Sequence, residues 1–378
     1  MGHPRPGLTT ASLKGTMSVL ERLRHSTSII RLLVASAVLL VFGAVLGIVG
    51  QKAAHKIFRS TTAPTGAVAS AGYGLDAPTS AAVAGANLFV TNGGGNSVTE
   101  VNASTGAHVA TVGGRAFGFD QPQAIVAASG DLFVANGTGN SVTEFNATTR
   151  SMVRTIAGSQ FQFSNPVALA VQGGDLFVLS SAGRVTEVAT ASGRLLGVAA
   201  GARFGFSDPS SIAASGHDLY VTNRGADTLT KINSARLSFV ALLSGSSYEF
   251  DKPTGAAIAG ADLWVTNFGT DSATEVSLSS DKTVRVVKNT NLATPGPIAV
   301  GDGYVFTVSP PGDSPMVSQI TPGTGSVPWM MCNTNGPYLF NNPQSAVVAG
   351  SNLWVVNEGS SSLTEMDTDS GALIRTIS

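Results

Sequence analysis

Short apolar runs recur along most of the chain at a nearly constant spacing. Six of the seven runs begin with Asn or Asp followed by leucine. The runs are NLFVTN at Asn87, DLFVAN at Asp131, DLFVLS at Asp175, DLYVTN at Asp218, DLWVTN at Asp262, YVFTVS at Tyr304 and NLWVVN at Asn352. The aligned leucines, with Tyr304 in the sixth run, lie 44, 44, 43, 44, 41 and 49 residues apart. A constant period in this range indicates a repeat protein.

Each repeat contains four segments of strand length. In the second repeat they are AIVAAS from Ala124, DLFVAN from Asp131, SVTEFN from Ser141 and SMVRTIAG from Ser151, with Gly- and Asn-rich turns between them. No repeat contains a capped segment with helical periodicity. Four short strands in ~44 residues are typical of a propeller blade. The sequence therefore predicts an all-β, seven-bladed β-propeller of four-stranded blades over residues 65–378, with repeats starting near residues 78, 122, 166, 209, 253, 295 and 343.

An aromatic motif that ends in proline precedes most repeats. It reads FGFDQP at Phe117, FQFSNP at Phe161, FGFSDP at Phe204, YEFDKP at Tyr248 and YLFNNP at Tyr338, with a weaker YGLDAP at Tyr73. Proline suits the first residue of a strand, because no ladder donor is needed there. The motif is expected to join the outer strand of one blade to the inner strand of the next, with its aromatic rings between the blades. Residues 65–78 resemble the tail of a further repeat, which either pairs on the edge of the last blade or leads into the ring.

A long apolar segment precedes the repeats. Leu32–Gly50 holds 19 residues without a charge, and as a helix it would span ~28 Å, close to the hydrocarbon thickness of a bilayer. The expected arrangement is a short cytoplasmic segment at residues 1–31, a transmembrane signal-anchor helix at 32–50 and a linker at 51–64. The propeller would then lie outside the cytoplasm on a single-pass membrane protein. Cleavage of the segment as a signal peptide, followed by secretion, is the alternative.

Charge and cysteine content narrow the function classes. From residue 60 onward the chain carries 14 basic and 22 acidic residues. This balance argues against nucleic acid as a partner, because nucleic-acid binding needs clustered cations. Cys332 is the only cysteine, which excludes an intrachain disulfide and a multi-cysteine metal site.

The repeats contain few residues with catalytic potential. His108 and His217 are the only histidines after the linker, and they lack the spacing of metal ligands. No catalytic residue, cofactor site or metal site is predicted, and a non-enzymatic role is favoured. An acid recurs on the third strand as Glu100, Glu144, Glu187, Glu275 and Glu365. Because it recurs in five repeats, it is interpreted as a structural feature, a solvated or strand-end residue.

The sixth repeat departs from the pattern. NLATPGP at Asn291 replaces the aromatic motif, SPPGDSPM fills Ser309–Met316, and the fourth strand reads VPWMMCN. Loops on a rigid scaffold often carry function. The predicted partner-binding residues are Asp313, Met316, Trp329, Met330 and Tyr338, and neutral drift of one repeat is the alternative.

The second strand carries a family resemblance. YVTN at Tyr220–Asn223, its variants FVTN, FVAN, WVTN and WVVN, and the following GNSVTEVNASTG resemble the YVTN-type and NHL-type propeller families over roughly residues 65–378. Members of such families include surface-layer proteins, extracellular sensor domains and a few lyases or lactonases. The resemblance implies the fold and says little about function. Together with the apolar segment at 32–50, it leads to the expectation of a membrane-anchored domain that binds, senses or scaffolds a protein, glycan or cell-wall ligand. A lyase or hydrolase with an axial metal–carboxylate site, or a structural surface-layer component, are the alternatives.

Overall fold

The computed structural model describes residues 68–69, 72–309, 315–334 and 336–378. The apolar segment at 32–50, predicted to be a transmembrane helix, lies outside these residues. Within the described ranges, no helix has both the length and the apolar character needed to cross a membrane. The helices in these ranges are single 3₁₀ turns at Ser159–Phe161 and Ala202–Phe204.

The strands begin with β1 (Val68–Ala69). Blade 1 comprises β2 (Pro78–Ala84), β3 (Asn87–Asn92), β4 (Ser97–Asn102) and β5 (His108–Gly113). Blade 2 comprises β6 (Pro122–Ala128), β7 (Asp131–Asn136), β8 (Ser141–Asn146) and β9 (Met152–Ile156). Blade 3 comprises β10 (Pro166–Gln172), β11 (Asp175–Ser180), β12 (Arg184–Ala189) and β13 (Leu195–Ala200). Blade 4 comprises β14 (Pro209–Ser215), β15 (Asp218–Asn223), β16 (Thr228–Asn233) and β17 (Ser238–Leu243).

The remaining blades follow the same order. Blade 5 comprises β18 (Pro253–Ala259), β19 (Asp262–Asn267), β20 (Ser272–Ser277) and β21 (Thr283–Lys288). Blade 6 comprises β22 (Ile298–Gly301), β23 (Tyr304–Val308), β24 (Met316–Ile320) and β25 (Met330–Cys332). Blade 7 comprises β26 (Pro343–Ala349), β27 (Asn352–Asn357), β28 (Ser362–Asp367) and β29 (Leu373–Ile377).

The seven blades form a closed ring. In every blade the four strands pair antiparallel in chain order. Each inner strand contacts the inner strand of the next blade, and β26 of the last blade contacts β2 of the first. The predicted all-β, seven-bladed propeller with four-stranded blades is confirmed.

β1 joins the first described residues to the last blade. It pairs in parallel with β29, with Val68 opposite Thr376 and Ala69 opposite Ile377. Of the two arrangements expected for residues 65–78, the structure therefore has pairing on the edge of the last blade. Blade 7 has five strands as a result.

The ring has two faces with different connections. On the first face, the turn between the second and third strands meets the connection from the preceding blade, as Gly93 N donates to Ala77 O at 2.9 Å. We call this the connector face. On the other face, the turn between the third and fourth strands meets the turn between the first and second strands, as Ala103 N donates to Ala86 O at 2.9 Å. We call this the turn face.

The aromatic connections pack between blades, as expected. Phe117 and Phe119 stack with their ring centroids 5.5 Å apart. Phe119 is buried in a cluster with Phe89 of blade 1 and Phe145 of blade 2. The aromatic pair therefore supplies much of the apolar surface that is buried at the five interfaces whose connection carries it.

Within the described residues, a clasp on the connector face ties five of the seven connections to the previous blade. The residue before each connecting proline has a positive φ. In the five clasps, its backbone N–H donates a hydrogen bond to the side chain of a turn residue of the preceding blade, which also has a positive φ. Asn140 Oδ1 accepts from Asn165 N at 2.7 Å, and Asp227 Oδ1 accepts from Lys252 N at 2.7 Å. Ser361 Oγ accepts from Ala77 N at 3.3 Å, so the same clasp closes the ring.

The repeated acid of the third strand is buried, so the expectation of a solvated residue was wrong. Glu144 is 1% exposed and pairs with Arg154 of the adjacent fourth strand at 3.0 Å. Arg154 in turn covers Gly193 of blade 3, where an added Cβ would lie 2.7 Å from its Cδ. The acid thus belongs to the interface with the next blade. Burial raises the pKa of Glu144, and the charge of Arg154 offsets part of that rise.

In blade 1 the fourth strand carries a small residue opposite the acid, and a turn of the next blade supplies the cation instead. Opposite Glu100 stands Ala110, and Arg150 from a turn of blade 2 supplies the charge, with its Nε 2.5 Å from Glu100 Oε2. Blade 4 reverses the signs. There Lys231 lies 2.7 Å from Asp281 of blade 5 and 3.2 Å from Asp218 of its own blade.

Two interfaces lack this ion pair among the described residues. Gly197 stands opposite Glu187 in blade 3, and Leu237 occupies the turn position that Arg150 holds in blade 2. Burial, followed by the charge and hydrogen bond of Asp175, raises the pKa of Glu187 to about 6. In blade 6 the acid is replaced by Gln319, whose Nε2 donates to Thr368 O at 2.6 Å.

Candidate binding site at the axial opening

The residues predicted as a partner site lie mostly in the interface between blades 6 and 7. Tyr338 is 6% exposed, and its hydroxyl donates to Gly371 O at 3.1 Å. Trp329 donates its indole N–H to Asp369 O at 3.0 Å and packs over Gly371. It thus fills the place that Arg154 fills over Gly193. The neutral Gln319 and the apolar Trp329 together replace the ion pair of other blades.

The structure brings some of these residues together and separates others. Tyr338 and Trp329 share one apolar cluster. Met316 is buried at the start of β24 and lies outside that cluster, and Met330 is half-buried in β25. Asp313 lies outside the described residues. Their role in partner binding stays a prediction.

A different feature has the geometry of a ligand site. An opening of about 570 Å³ lies on the ring axis at the connector face. The residues after each connecting proline form its wall, because the inner strands begin there. Its uncharged polar lining residues are Thr79, Ser80, Gln123, Ser210, Ser211, Thr254, Gln344 and Ser345. Pockets for small ligands commonly enclose about 300–1,000 Å³.

Some of these hydroxyl groups are used by the ring itself. Thr79 Oγ1 donates to Pro122 O of the next blade at 2.7 Å. Ser210 and Thr254 make the corresponding bonds, at 3.1 and 3.0 Å, to the first proline of the connection that follows. These three groups hold neighbouring blades together at the axis, and their donor hydrogens are not available to a ligand.

Other polar groups of the wall remain unengaged. Within the described ranges, the side chains of Gln123, Ser80 and Ser345 make no hydrogen bond to the protein, although all three line the opening. Val126 and Val167 add an apolar stretch to the wall. The opening therefore combines free amide and hydroxyl groups with an apolar side.

The mouth of the opening carries two large side chains. Arg224 and Phe268 stand at equivalent positions in the turns of blades 4 and 5, where blades 1 and 2 have Gly93 and Gly137. The Cζ of Arg224 lies 5.5 Å from the Phe268 ring centroid, a cation–π contact. Arg224 is the only ionisable residue among the described residues that line the opening.

Sequence reasoning missed this site. The residue immediately after the second strand is Gly, Gly, Ser, Arg and Phe in repeats 1 to 5 and Glu in repeat 7. The change from small residues to Arg224, Phe268 and Glu358 was the available signal. Its meaning depends on the position of this turn beside the axis, which the sequence alone does not display.

The histidines lie away from this opening. His108 is exposed on the outer strand β5, and His217 is exposed in a turn of the turn face. Across the part of the chain that the structure describes, no three His, Cys, Asp or Glu side chains are grouped so that they could hold a metal ion.

Comparison with known proteins identifies the fold. No family model matches the sequence, and no curated relative matches it. Virginiamycin B lyase from Staphylococcus aureus is 15% identical, with 75% of this chain and 92% of that chain covered and a TM-score of 0.61. Hydrazine synthase from Kuenenia stuttgartiensis is 14% identical, with 83% and 99% covered and a TM-score of 0.64. The computationally designed Ika8 protein is 12% identical, with 80% and 87% covered and a TM-score of 0.59.

The shared feature is the β-propeller fold. At these identities the likeness extends to no activity, because one fold hosts many unrelated functions. The resemblance to the YVTN-type and NHL-type families stays a prediction.

Proposed function

We propose that this protein is a binding propeller whose ligand occupies the axial opening of the connector face. The observation that supports the proposal is the set of unengaged polar groups of Gln123, Ser80 and Ser345 around a space of about 570 Å³. These three side chains are half-buried and make no hydrogen bond to the protein, so a ligand that replaces their water with matched partners is oriented by them.

The lining favours a saccharide as the ligand. Amide and hydroxyl side chains match sugar hydroxyl groups, and the Val126 and Val167 side offers contact to the apolar face of a sugar ring. The finer proposal is an extracytoplasmic domain, anchored by residues 32–50, that recognises a cell-wall or other glycan. The YVTN-like motif supports this placement by resemblance.

A direct binding measurement tests the proposal. The full-length chain, solubilised in detergent, is titrated calorimetrically with a panel of oligosaccharides that includes glucan and N-acetylglucosamine oligomers. Gln123→Ala is expected to weaken binding about 5–10-fold, since it removes one hydrogen-bonding side chain from the wall. Gln160→Ala is the matched control, because Gln160 is an exposed glutamine on a 3₁₀ turn outside the opening.

Two outcomes would contradict the proposal. One is the absence of binding across the panel, and the other is an equal effect of both substitutions. Release of shorter saccharides during incubation would instead support the lyase or hydrolase alternative.

A further inference from the structure

We infer that the axial ligand carries a carboxylate and that Arg224 binds it, so that the natural ligand is an acidic saccharide. The inference rests on the proposed function and adds the chemical class of the ligand. It follows from the geometry of one cation at the mouth of an otherwise neutral opening.

Arg224 is held in place by groups that leave its charge uncompensated. Its backbone N–H donates to Asp208 O at 3.1 Å, which fixes the turn. The Phe268 ring contacts the guanidinium at 5.5 Å. None of the seven ion pairs within the described ranges includes Arg224, and its guanidinium donates no hydrogen bond there.

The acid at the equivalent position of blade 7 is already engaged. Glu358 Oε2 accepts hydrogen bonds from Asn342 Nδ2 at 2.7 Å and from Gln344 Nε2 at 2.8 Å. Gln344 lines the opening, and the two amide groups bind the carboxylate from that side. Arg224 on blade 4 therefore has no ion-pair partner among the described residues. Glu358, at the equivalent position of blade 7, has its hydrogen-bond partners within the protein.

The charge of a carboxylate matches this site better than that of a phosphate. A planar guanidinium binds a carboxylate through two parallel hydrogen bonds, which gives affinity and orientation. One guanidinium neutralises one carboxylate, whereas a phosphomonoester would bring a second negative charge into an opening whose other lining groups are neutral. The remaining polar groups, Gln123 and Ser80, suit the sugar hydroxyl groups.

Matched ligands separate the charge from the sugar. The full-length chain in detergent is titrated with a hexuronate oligosaccharide, its methyl ester and a phosphorylated neutral oligosaccharide of the same length. The hexuronate is expected to bind about ten-fold or more tightly than its ester, the size of one charge-assisted hydrogen-bonded contact. Arg224→Gln is expected to abolish that preference while the ester binds as before.

Arg203→Gln is the control variant. Arg203 is also an exposed arginine over an aromatic ring, 4.9 Å from the Phe204 centroid, but it does not line the opening. Retention of the preference in Arg224→Gln, equal binding of hexuronate and ester, or stronger binding of the phosphorylated sugar would overturn the inference and leave the proposed function intact. Failure of every saccharide to bind would overturn both.

Discussion

Glu187→Gln tests whether a buried acid without a cation destabilises one interface of the ring. Glu187 is 8% exposed and lies beside Asp175. Gly197 and Leu237 stand in the two places from which other blades supply an arginine, so no cation among the described residues faces this acid. Glutamine keeps the shape of the side chain. Its amide can donate a hydrogen bond to Asp175 at any pH. The carboxyl group of Glu187 can do so only when it is protonated.

The expected gain depends on pH. The pKa of Glu187 is raised from 4.5 to about 6 by burial and by Asp175, so the folded state holds this proton more tightly than the unfolded state. The destabilisation caused by ionised Glu187 is absent below pH ~4.5, grows as the pH rises towards ~6 and is complete above pH ~7. At about 1.36 kcal/mol for each pKa unit, ionised Glu187 lowers the free energy of unfolding by about 1–2 kcal/mol.

Urea unfolding at pH 4 and pH 8 measures this difference. Glu187→Gln is expected to match the parent at pH 4 and to unfold at higher urea at pH 8. Glu100→Gln serves as the control, because it removes the partner of Arg150 and is expected to destabilise at pH 8 by about 1 kcal/mol. A Glu187→Gln variant that is no more stable than the parent at pH 8, or that gains equally at both pH values, would refute the reasoning.

Three further substitutions probe other contacts, each measured by urea unfolding at pH 7 unless stated. Asn140→Gly keeps the positive φ but removes the clasp to the next connection, and a loss of about 1 kcal/mol is expected; no loss would show that the clasp is not stabilising. Phe119→Ala leaves a cavity in the interface of blades 1 and 2 and is expected to cost about 3–5 kcal/mol, whereas a cost below that of Asn140→Gly would contradict the packing role of Phe119 between the blades. Burial alone would lower the pKa of Lys231, but Asp281 and Asp218 hold it above its usual value. Lys231→Met therefore leaves two acids unpaired and is expected to destabilise between pH 6 and pH 9 by about 2–3 kcal/mol; Lys231→Arg should retain most of the stability, and equal losses in both variants would argue against the charge.

The ring was predictable from the sequence because its determinants are periodic. The proline that begins an inner strand and the leucine of the next strand keep one spacing in six repeats, as Pro122 and Leu132 do. An interval of this kind specifies a repeating backbone path, and the aromatic pair specifies what lies between the blades. Strand pairing within a blade is local in the chain, so short-range patterns suffice for it.

The environment of the repeated acid was not predictable in the same way. Glu100 and its partner Arg150 are 50 residues apart and belong to different blades. In the strand pattern the acid looks like a solvated position. The sequence signal for a buried pair is that three residues change together from blade to blade. They are the acid, the fourth-strand residue opposite it and the turn residue of the next blade.

The sixth repeat illustrates the same limit. Its unusual Trp329, a predicted partner-binding residue, lies over Gly371 of blade 7, and its role in partner binding stays a prediction. The accompanying change from acid to Gln319 was a sign of a substituted ion pair. Conversely, Arg224 has the sequence context of an ordinary turn residue, because only the convergence of seven blades on one axis places it at the axial opening.

The matched residues across each interface also determine the order of the blades. Arg154 of blade 2 fits against Gly193 of blade 3. If blade 3 were deleted, Arg154 would face Leu237 of blade 4, which has neither the space nor a suitable charge. A change in blade number by deletion or duplication therefore requires compensating substitutions at the new junction. Circular permutation, which moves the chain ends to another connection, leaves these junctions intact and should preserve the ring.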